Sequence, residues 1–329
     1  MLVGGLGTRL RPLTHHRPKQ MLPIVNRPMI EHVVGHLAEY GVDDVVLSMG
    51  YRPDAFRAAY PDGRCAGATL HYAIEPEPLD TAGAIRFAAL DAGIDQRFLV
   101  LNGDVLTDLD VAAFVAFHEA RGAEATIALH RVDDPSRYGV VPTDAEGGVI
   151  SFVEKPPPGE APTDLINAGT YVFEASVVDR IPAGRRVSVE RETFPALVAD
   201  RSLYALDDGC YWIDTGTPCE YVRAQVDLVD GVRGAPADGI HPTAEVSAEA
   251  SVKRAVVGVG AVVAAGARVE SAVLLAGARV EAGAVVDGSV IGECAIVGAG
   301  AYVGGYSVVG DRQVVGRGER LDGARVPGE

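Results

Sequence analysis

Two rhythms of apolar residues divide the chain. From residue 28 to residue 101, short apolar runs alternate with helical patterns. Pro28 suits a first helical position, and Ile30, Val33, Val34 and Leu37 share one face before Gly41 ends the segment. Val45-Val46-Leu47-Ser48-Met49 predicts a buried strand, followed by a short helix at 54–60, a strand at 69–74, a helix at 81–92 and the strand Phe98-Leu99-Val100-Leu101. Leu2-Val3 reads as the tail of a further strand, short enough to suggest a start that lies upstream or has been clipped, and a weakly anchored loop after it. Strand signals at 125–130, 149–153 and 169–173 predict an extension of the sheet and a second wall of a cleft. Thr217 to Val229 reads as a closing helix, and the Gly- and Pro-containing stretch 231–239 as a linker.

Strand and helix alternating at this spacing predict right-handed crossovers and an α/β, Rossmann-like, mostly parallel sheet with helices on both faces. Ligands of such sheets sit beyond the carboxyl ends of the strands, where Val3 leads into a glycine-rich loop and Leu101 into Asn102-Gly103-Asp104.

The second rhythm begins at Ile240. Rows of 17 residues start at Ile240, Val257, Leu274, Ile291 and Val308; the seventh position holds Val246, Val263, Val280, Val297 and Val314, and the thirteenth Val252, Val269, Val286 and Val303. Alanine recurs at 244, 250, 261, 267, 278, 284, 295 and 301. Each row is three short segments with one aliphatic apiece and a small residue before each corner, a period no helix follows. It predicts a triangular coil of parallel strands around a narrow aliphatic axis. In the last row Arg320 stands where an apolar residue is expected. The expected division is 1–232, a linker at 233–239, and a coil at 240–329.

Composition narrows the chemistry. The 329 residues carry a formal charge of −16, which argues against a nucleic-acid surface. Yet residues 1–30 hold Arg9, Arg11, Arg17, Lys19 and Arg27 and no acid, a local concentration of cations that suits a small anionic substrate. Glycines at 4, 5 and 7 let backbone N–H groups approach phosphate oxygens. Neither of the two commonest phosphate loops fits, because no Lys-Ser/Thr follows Gly7 directly and Leu10 stands where a dinucleotide fingerprint needs glycine. The four cysteines, at 65, 210, 219 and 294, lack zinc or paired spacing and read as reduced thiols. With no apolar run long enough for a membrane span and no signal-peptide pattern, the expectation is a soluble, cytoplasmic protein with no membrane partner.

Five motifs occur in order: the glycine loop, Asn102-Gly103-Asp104, Phe152-Val153-Glu154-Lys155-Pro156, Asn167-Ala168-Gly169 and Trp212-Ile213-Asp214-Thr215-Gly216. With them the first 230 residues resemble the sugar-1-phosphate nucleotidylyltransferases, most of all the guanylyltransferase branch that joins GTP to mannose-1-phosphate. The tail resembles the hexapeptide-repeat left-handed β-helix, the resemblance alone supplying its handedness. The resemblance implies that Gly4, Gly5, Gly7 and Thr8 line the triphosphate, that Arg9 stabilises departing pyrophosphate, and that Lys19 bridges charge at the α-phosphate. It implies that Asp104 and Asp214 hold Mg²⁺, that Lys155 meets the sugar phosphate, that Glu154 and Asn167 meet sugar hydroxyls, and that Gly139 lets the hexose approach. Val189-Glu190-Arg191-Glu192-Thr193 resembles a second sugar-side segment of the family, which implies a sugar-side place for Glu190.

Base choice rests on Glu75 and the following Asp80-Thr81-Ala82-Gly83. One carboxylate can accept the adjacent N1–H and N2–H of guanine, as Glu75 could, whereas thymine and uracil suit an amide. The family usually has Gly where this chain has Asp80, a side chain that either reshapes the base pocket or points to solvent. The expected partners are a nucleoside triphosphate, a hexose-1-phosphate and further copies of the chain. The rival readings are a uridylyl- or thymidylyltransferase using glucose-1-phosphate, and a non-catalytic regulatory subunit on the same fold.

Overall fold

The computed structural model describes residues 1–50 and 53–328. The chain forms two compact units, Met1–Gly4 with Val33–Trp212, and Gly5–His32 with Ile213–Glu329. Its elements begin with α1 (Met29–Glu39), β1 (Asp44–Met49), α2 (Pro53–Ala59), β2 (Ala68–Ile74), α3 (Asp80–Asp91), β3 (Phe98–Leu101) and α4 (Val111–Arg121). They continue with β4 (Ala125–Arg131), β5 (Gly139–Val140), β6 (Val153–Glu154), β7 (Leu165–Phe173), β8 (Leu203–Leu206) and α5 (Pro218–Val229).

In the first unit β1 and β2 pair in parallel, from Asp44 opposite Thr69 to Met49 opposite Ile74. Leu2 forms parallel bridges to Ser48 on one side and Asn102 on the other, so the short opening segment lies between β1 and the end of β3. It is tied on both flanks: Leu2 N–H donates to Leu101 O at 2.8 Å, Val3 N–H to Ser48 O at 2.9 Å, and Gly103 N–H to Leu2 O at 2.9 Å. Beyond β3 the sheet turns antiparallel, because β7 runs against both β3 and β4, while β8 returns parallel to β4. Tyr171, Phe173 and Phe194 stack under this half as its core.

The strand expected at 149–153 is reduced to the two residues of β6. Asp144 Oδ1 accepts from Glu146 N–H at 3.0 Å and Gly148 N–H at 2.7 Å, and this side-chain turn competes with a regular ladder before Val149. Only isolated bridges remain there, Thr143 to Val149 and Gly148 to Tyr204.

In the second unit Thr217 caps α5 and Pro218 occupies its first turn. Tyr221 and Gln225 of that helix hold the hairpin Pro23–Pro28: Tyr221 Oη donates to Pro23 O at 2.5 Å, Gln225 Nε2 to Pro23 O at 2.8 Å, and Val25 N–H donates to Gln225 Oε1 at 2.7 Å. The tail is a parallel solenoid of three five-stranded sheets. Val263, Val269, Leu274, Val280, Val286, Ile291, Val297 and Val303 stack along its axis with the expected alanines buried beside them. Each aliphatic so enclosed stabilises the coil by roughly 1.5–3 kcal/mol.

One expectation is corrected. Up to Val285 opposite Tyr302 the coils pair at an offset of 17, but Val290 pairs with Val308 and Ile296 with Val314, an offset of 18. The extra residue enters between Val303 and Val308, at the corner where Gly305 and Tyr306 both adopt positive φ. The axial position of the last coil therefore passes from Val314 to Val315, and Leu321 rather than Arg320 follows Val303. Among the described residues no helix is long and apolar enough to cross a membrane, and all four cysteines are free thiols.

Val315 is 1% exposed and Val314 62%. Val315→Asp should lower unfolding free energy by at least about 3 kcal/mol and Val314→Asp by less than about 0.5 kcal/mol. Equal effects in urea titrations would place the insertion elsewhere.

Candidate active site

In the first unit the expected base-side residues cluster beyond β2. Glu75 N–H extends the ladder to Met49 O at 2.9 Å, and the side chain turns back so that Oε2 accepts Leu79 N–H at 3.0 Å. A Cβ placed on Gly4 would lie 4.0 Å from Glu75 Oε1 and 3.6 Å from Gly50 N, so glycine there keeps main chain open beside the carboxylate. Asp80 has φ 63°, the left-handed region that glycine enters freely and Asp tolerates better than most residues. Its Oδ1 accepts Thr81 N–H at 2.9 Å and Oδ2 lies 3.9 Å from Arg186. The side chain is thus folded onto its own helix start and toward Arg186.

Thr81 joins the segment expected to read the base to Val189–Thr193, expected on the sugar side. Its hydroxyl donates to Glu190 Oε2 at 2.8 Å and accepts Val189 N–H at 2.8 Å; Ser188 Oγ donates to the same Glu190 oxygen at 2.6 Å. Val187 N–H to Leu79 O and Ala82 N–H to Val187 O, each 2.9 Å, stitch the two segments together.

Of the other residues expected on the sugar side, Asn167 bonds to Tyr171 and Glu154 lies near it. Gly139 stands opposite Glu154 in the β5–β6 ladder, and a Cβ there would come within 2.8 Å of Phe152 Cε1 and 3.1 Å of Glu154 Oε2. Asn167 Nδ2 donates to Tyr171 Oη at 3.0 Å while its Oδ1 accepts Gly169 N–H at 2.9 Å, at the irregularity where β7 shifts register against β4. Burial pushes the Tyr171 hydroxyl well above its usual pKa, and the nearby charges of Glu190 and Glu154 push it the same way. Lys155 is an exposed residue at φ 49° whose Nζ lies 3.3 Å from Glu154 Oε1. Asp104 is half-buried in the turn after β3. Asn102 N–H donates to Gly169 O at 2.8 Å, and a Cβ on Gly169 would lie 2.5 Å from Asn102 Nδ2, so the two turns fit only without one.

In the second unit the glycine loop closes at Gly7, with φ 60° and its carbonyl accepting the Thr14 hydroxyl at 2.8 Å. A Cβ on Gly5 would meet nothing within 4 Å, and exposed Thr8 begins the one-turn helix Thr8–Leu10, which buried Leu10 and Leu13 anchor. Lys19 is 7% exposed at the start of a second such turn, its Cβ 3.3 Å from where a Gly7 Cβ would stand. Arg9 lies 3.8 Å from Asp214 with 55% of its side chain exposed, a contact worth little by itself that leaves its guanidinium facing solvent. Asp214 Oδ1 accepts Gly216 N–H at 2.8 Å.

Sequence reasoning assigned no role to Tyr171, Ser188 or Trp212. Trp212 Nε1 donates to Ala168 O at 2.8 Å, its ring stacking on His130 at 5.1 Å and meeting Tyr138 edge-on at 5.8 Å. As the chain's one tryptophan it was a visible signal.

Residues 1–231 match the family described as nucleotidyl transferase. The chain belongs to that family. Residues 236–327 of this nucleotidyl transferase match a domain described as the GMPPB C-terminal domain. It is 47% identical over 239 residues to the mannose-1-phosphate guanylyltransferase of Mycobacterium tuberculosis, a match covering 72% of this chain and 66% of that one. It is 42% identical to the mannose-1-phosphate guanyltransferase of Schizosaccharomyces pombe, over 68% of this chain and 61% of that one. These matches span less than two thirds of the relatives' length. Among solved structures, HddC from Yersinia pseudotuberculosis complexed with GMP-PN is similar with a TM-score of 0.57 and 31% identity, over 68% of this chain and 96% of that one.

The backbone at Asp80 can be tested directly. Asp80→Ala keeps the Cβ in the left-handed region without the hydrogen bond to Thr81 and should cost about 1 kcal/mol, while Asp80→Gly should stay within about 0.5 kcal/mol of wild type. Urea unfolding of the two variants checks the order.

Proposed function

We propose that the protein is a mannose-1-phosphate guanylyltransferase. A phosphate oxygen of mannose-1-phosphate attacks the α-phosphorus of GTP, the bond from that phosphorus to the bridging oxygen breaks, and pyrophosphate leaves, giving GDP-mannose. The attacking oxygen is already anionic, so neither a protein nucleophile nor a general base is required, and catalysis is positioning and charge neutralisation. Arg9, more than half exposed beside Asp214, suits the departing pyrophosphate. Lys19 suits the α-phosphate, Lys155 the phosphate of mannose-1-phosphate, and Glu154, Asn167 and Glu190 the sugar side.

The observation that carries the base preference is Glu75, with one oxygen held by Leu79 N–H and the other beside Gly4. A carboxylate fixed in this way accepts two adjacent donors, which guanine offers and uracil does not. The named relatives, at up to 47% identity, support the same substrate pair.

The donor set fits Mg²⁺. Asp104 and Asp214 offer hard oxygen ligands, and among the described residues no group of three or more His, Cys, Asp or Glu side chains could hold a metal alone. Mg²⁺ characteristically keeps water and phosphate oxygens beside one or two carboxylates. When bound it would neutralise charge on the reacting phosphates.

Turnover of GTP, UTP, dTTP and ATP against mannose-1-phosphate and glucose-1-phosphate, with Mg²⁺, tests the reading. GTP with mannose-1-phosphate should be the best pair, and a clear preference for UTP or dTTP with glucose-1-phosphate would sink it. Asp104→Asn and Lys19→Ala should each lower kcat by about 10² or more. Glu75→Gln should reduce the preference for GTP over UTP by about 10- to 100-fold; an unchanged ratio removes Glu75 from base reading.

A further inference from the structure

Arg17 is one of the cations that the sequence places in the phosphate loop, yet its guanidinium is engaged elsewhere. Nη1 donates to Glu293 Oε1, and Nη2 to Asp311 Oδ2 at 2.8 Å. Both carboxylates stand at one corner of successive solenoid coils, just after Val290–Ile291 and Val308–Val309, strands that pair residue for residue. The corner is braced independently of Arg17: Asp311 Oδ1 accepts Glu293 N–H at 2.9 Å, and Arg312 N–H donates to Glu293 O at 2.7 Å.

This pairing differs from a surface salt bridge. Only 20% of the Arg17 side chain is exposed, against 55% for Arg9 in the same loop. A guanidinium forked between two carboxylates and largely shielded from water resists screening and holds one geometry. The bond to Arg17 also holds the Glu293 carboxyl below the usual carboxylate range, so the lock stays charged through neutral pH.

Two residues on lies Lys19, separated from Arg17 only by buried Pro18 at φ −60°. Leu22 N–H closes the turn onto Lys19 O at 3.0 Å, and the Lys19 stem abuts Gly7. A short, directly connected path therefore runs from the solenoid corner through Arg17 and Pro18 to Lys19 and the glycine turn.

We propose that the acidic corner formed by Glu293 and Asp311 is a positioning element for triphosphate binding, holding Arg17 so that Lys19 and the glycine turn keep one arrangement. The solenoid is then part of the nucleotide-binding machinery in addition to any part it plays between copies of the chain. Arg17 itself is a structural cation and contacts no phosphate. The inference rests on the nucleotidyl-transfer reading only in naming the triphosphate as the ligand.

The test uses the full chain and measures GTP affinity by calorimetry with Mg²⁺, alongside hydrogen exchange of the backbone at 14–22. Glu293→Gln with Asp311→Asn should weaken GTP binding by about tenfold or more and speed exchange of this segment, with the far-UV spectrum and the exchange of the remaining coils unchanged. Arg17→Ala should match it, Arg17→Lys should fall between, and adding Arg17→Ala to the double variant should cost nothing further, because all three changes break one lock. Wild-type affinity and exchange in the double variant would overturn the proposal. So would additive losses, or loosening spread evenly over the whole solenoid. Wild-type protein that binds GTP but does not turn it over would refute the proposed reaction and leave this inference standing.

Discussion

Main chain can approach main chain closely only where no Cβ intervenes, and the strand ends of the first unit are built on that constraint. A Cβ on Gly103 would lie 2.8 Å from Val3 Cγ1 and 3.1 Å from Leu2 O, where the opening segment enters the sheet. Where Gly169 faces Asn102 and Gly139 faces Phe152 and Glu154, the missing Cβ leaves room for side chains instead. These contacts are linked. Leu2 bonds to Gly103, Asn102 bonds to Gly169, and Gly169 bonds back to Asn167. The turn that carries Asp104 and the strand that carries Asn167 are therefore tied together by main-chain bonds and by one bond from main chain to the Asn167 side chain.

Much of the fold was legible because local patterns report local structure. The strand at 98–101 and the helices near 81–92 and 218–229 follow from apolar spacing and end signals that act within a turn or two. The strand expected at 149–153 is shortened because Asp144, an ordinary turn residue by sequence, captures two backbone donors that alternation does not register. The solenoid was visible from its period, but the added residue near Tyr306 was not. Val314 and Val315 are both valine, so a frame shifted by one reads equally well, and only Arg320 at an apolar position betrayed it. The candidate site could be proposed from residue type and motif order. Its contacts could not, since Thr81 and Glu190 stand 109 residues apart and Tyr171 reads as an ordinary apolar strand residue.

Arg9 and Arg17 illustrate a further limit of sequence reading. They lie in one loop, with the same chemistry and the same surplus of positive charge around them. Burial separates their fates. Arg9 meets one carboxylate at 3.8 Å and keeps most of its surface in water, where such a pair is weak and easily displaced by a more highly charged anion. Arg17 meets two carboxylates and is mostly enclosed, so displacing them would leave a desolvated cation. A count of cations overstates how many can answer a phosphate.

Thr81 links the Glu75–Thr81 and Val189–Thr193 segments within the first unit. Its hydroxyl is committed in both directions, donating to Glu190 and accepting from Val189 N–H, at the start of the helix that follows Asp80. Two residues earlier, Leu79 N–H holds Glu75 and Leu79 O receives Val187 N–H. The carboxylate assigned to the base and the carboxylate assigned to the sugar are therefore joined by a short run of hydrogen bonds, each with both partners at least partly withdrawn from water. In such a network the loss of one member leaves another unsatisfied, at a larger cost than the bond itself contributed. Segments that share supports in this way are not independent, which gives a physical reason for Val189–Thr193 to be matched to Glu75–Thr81 rather than chosen separately.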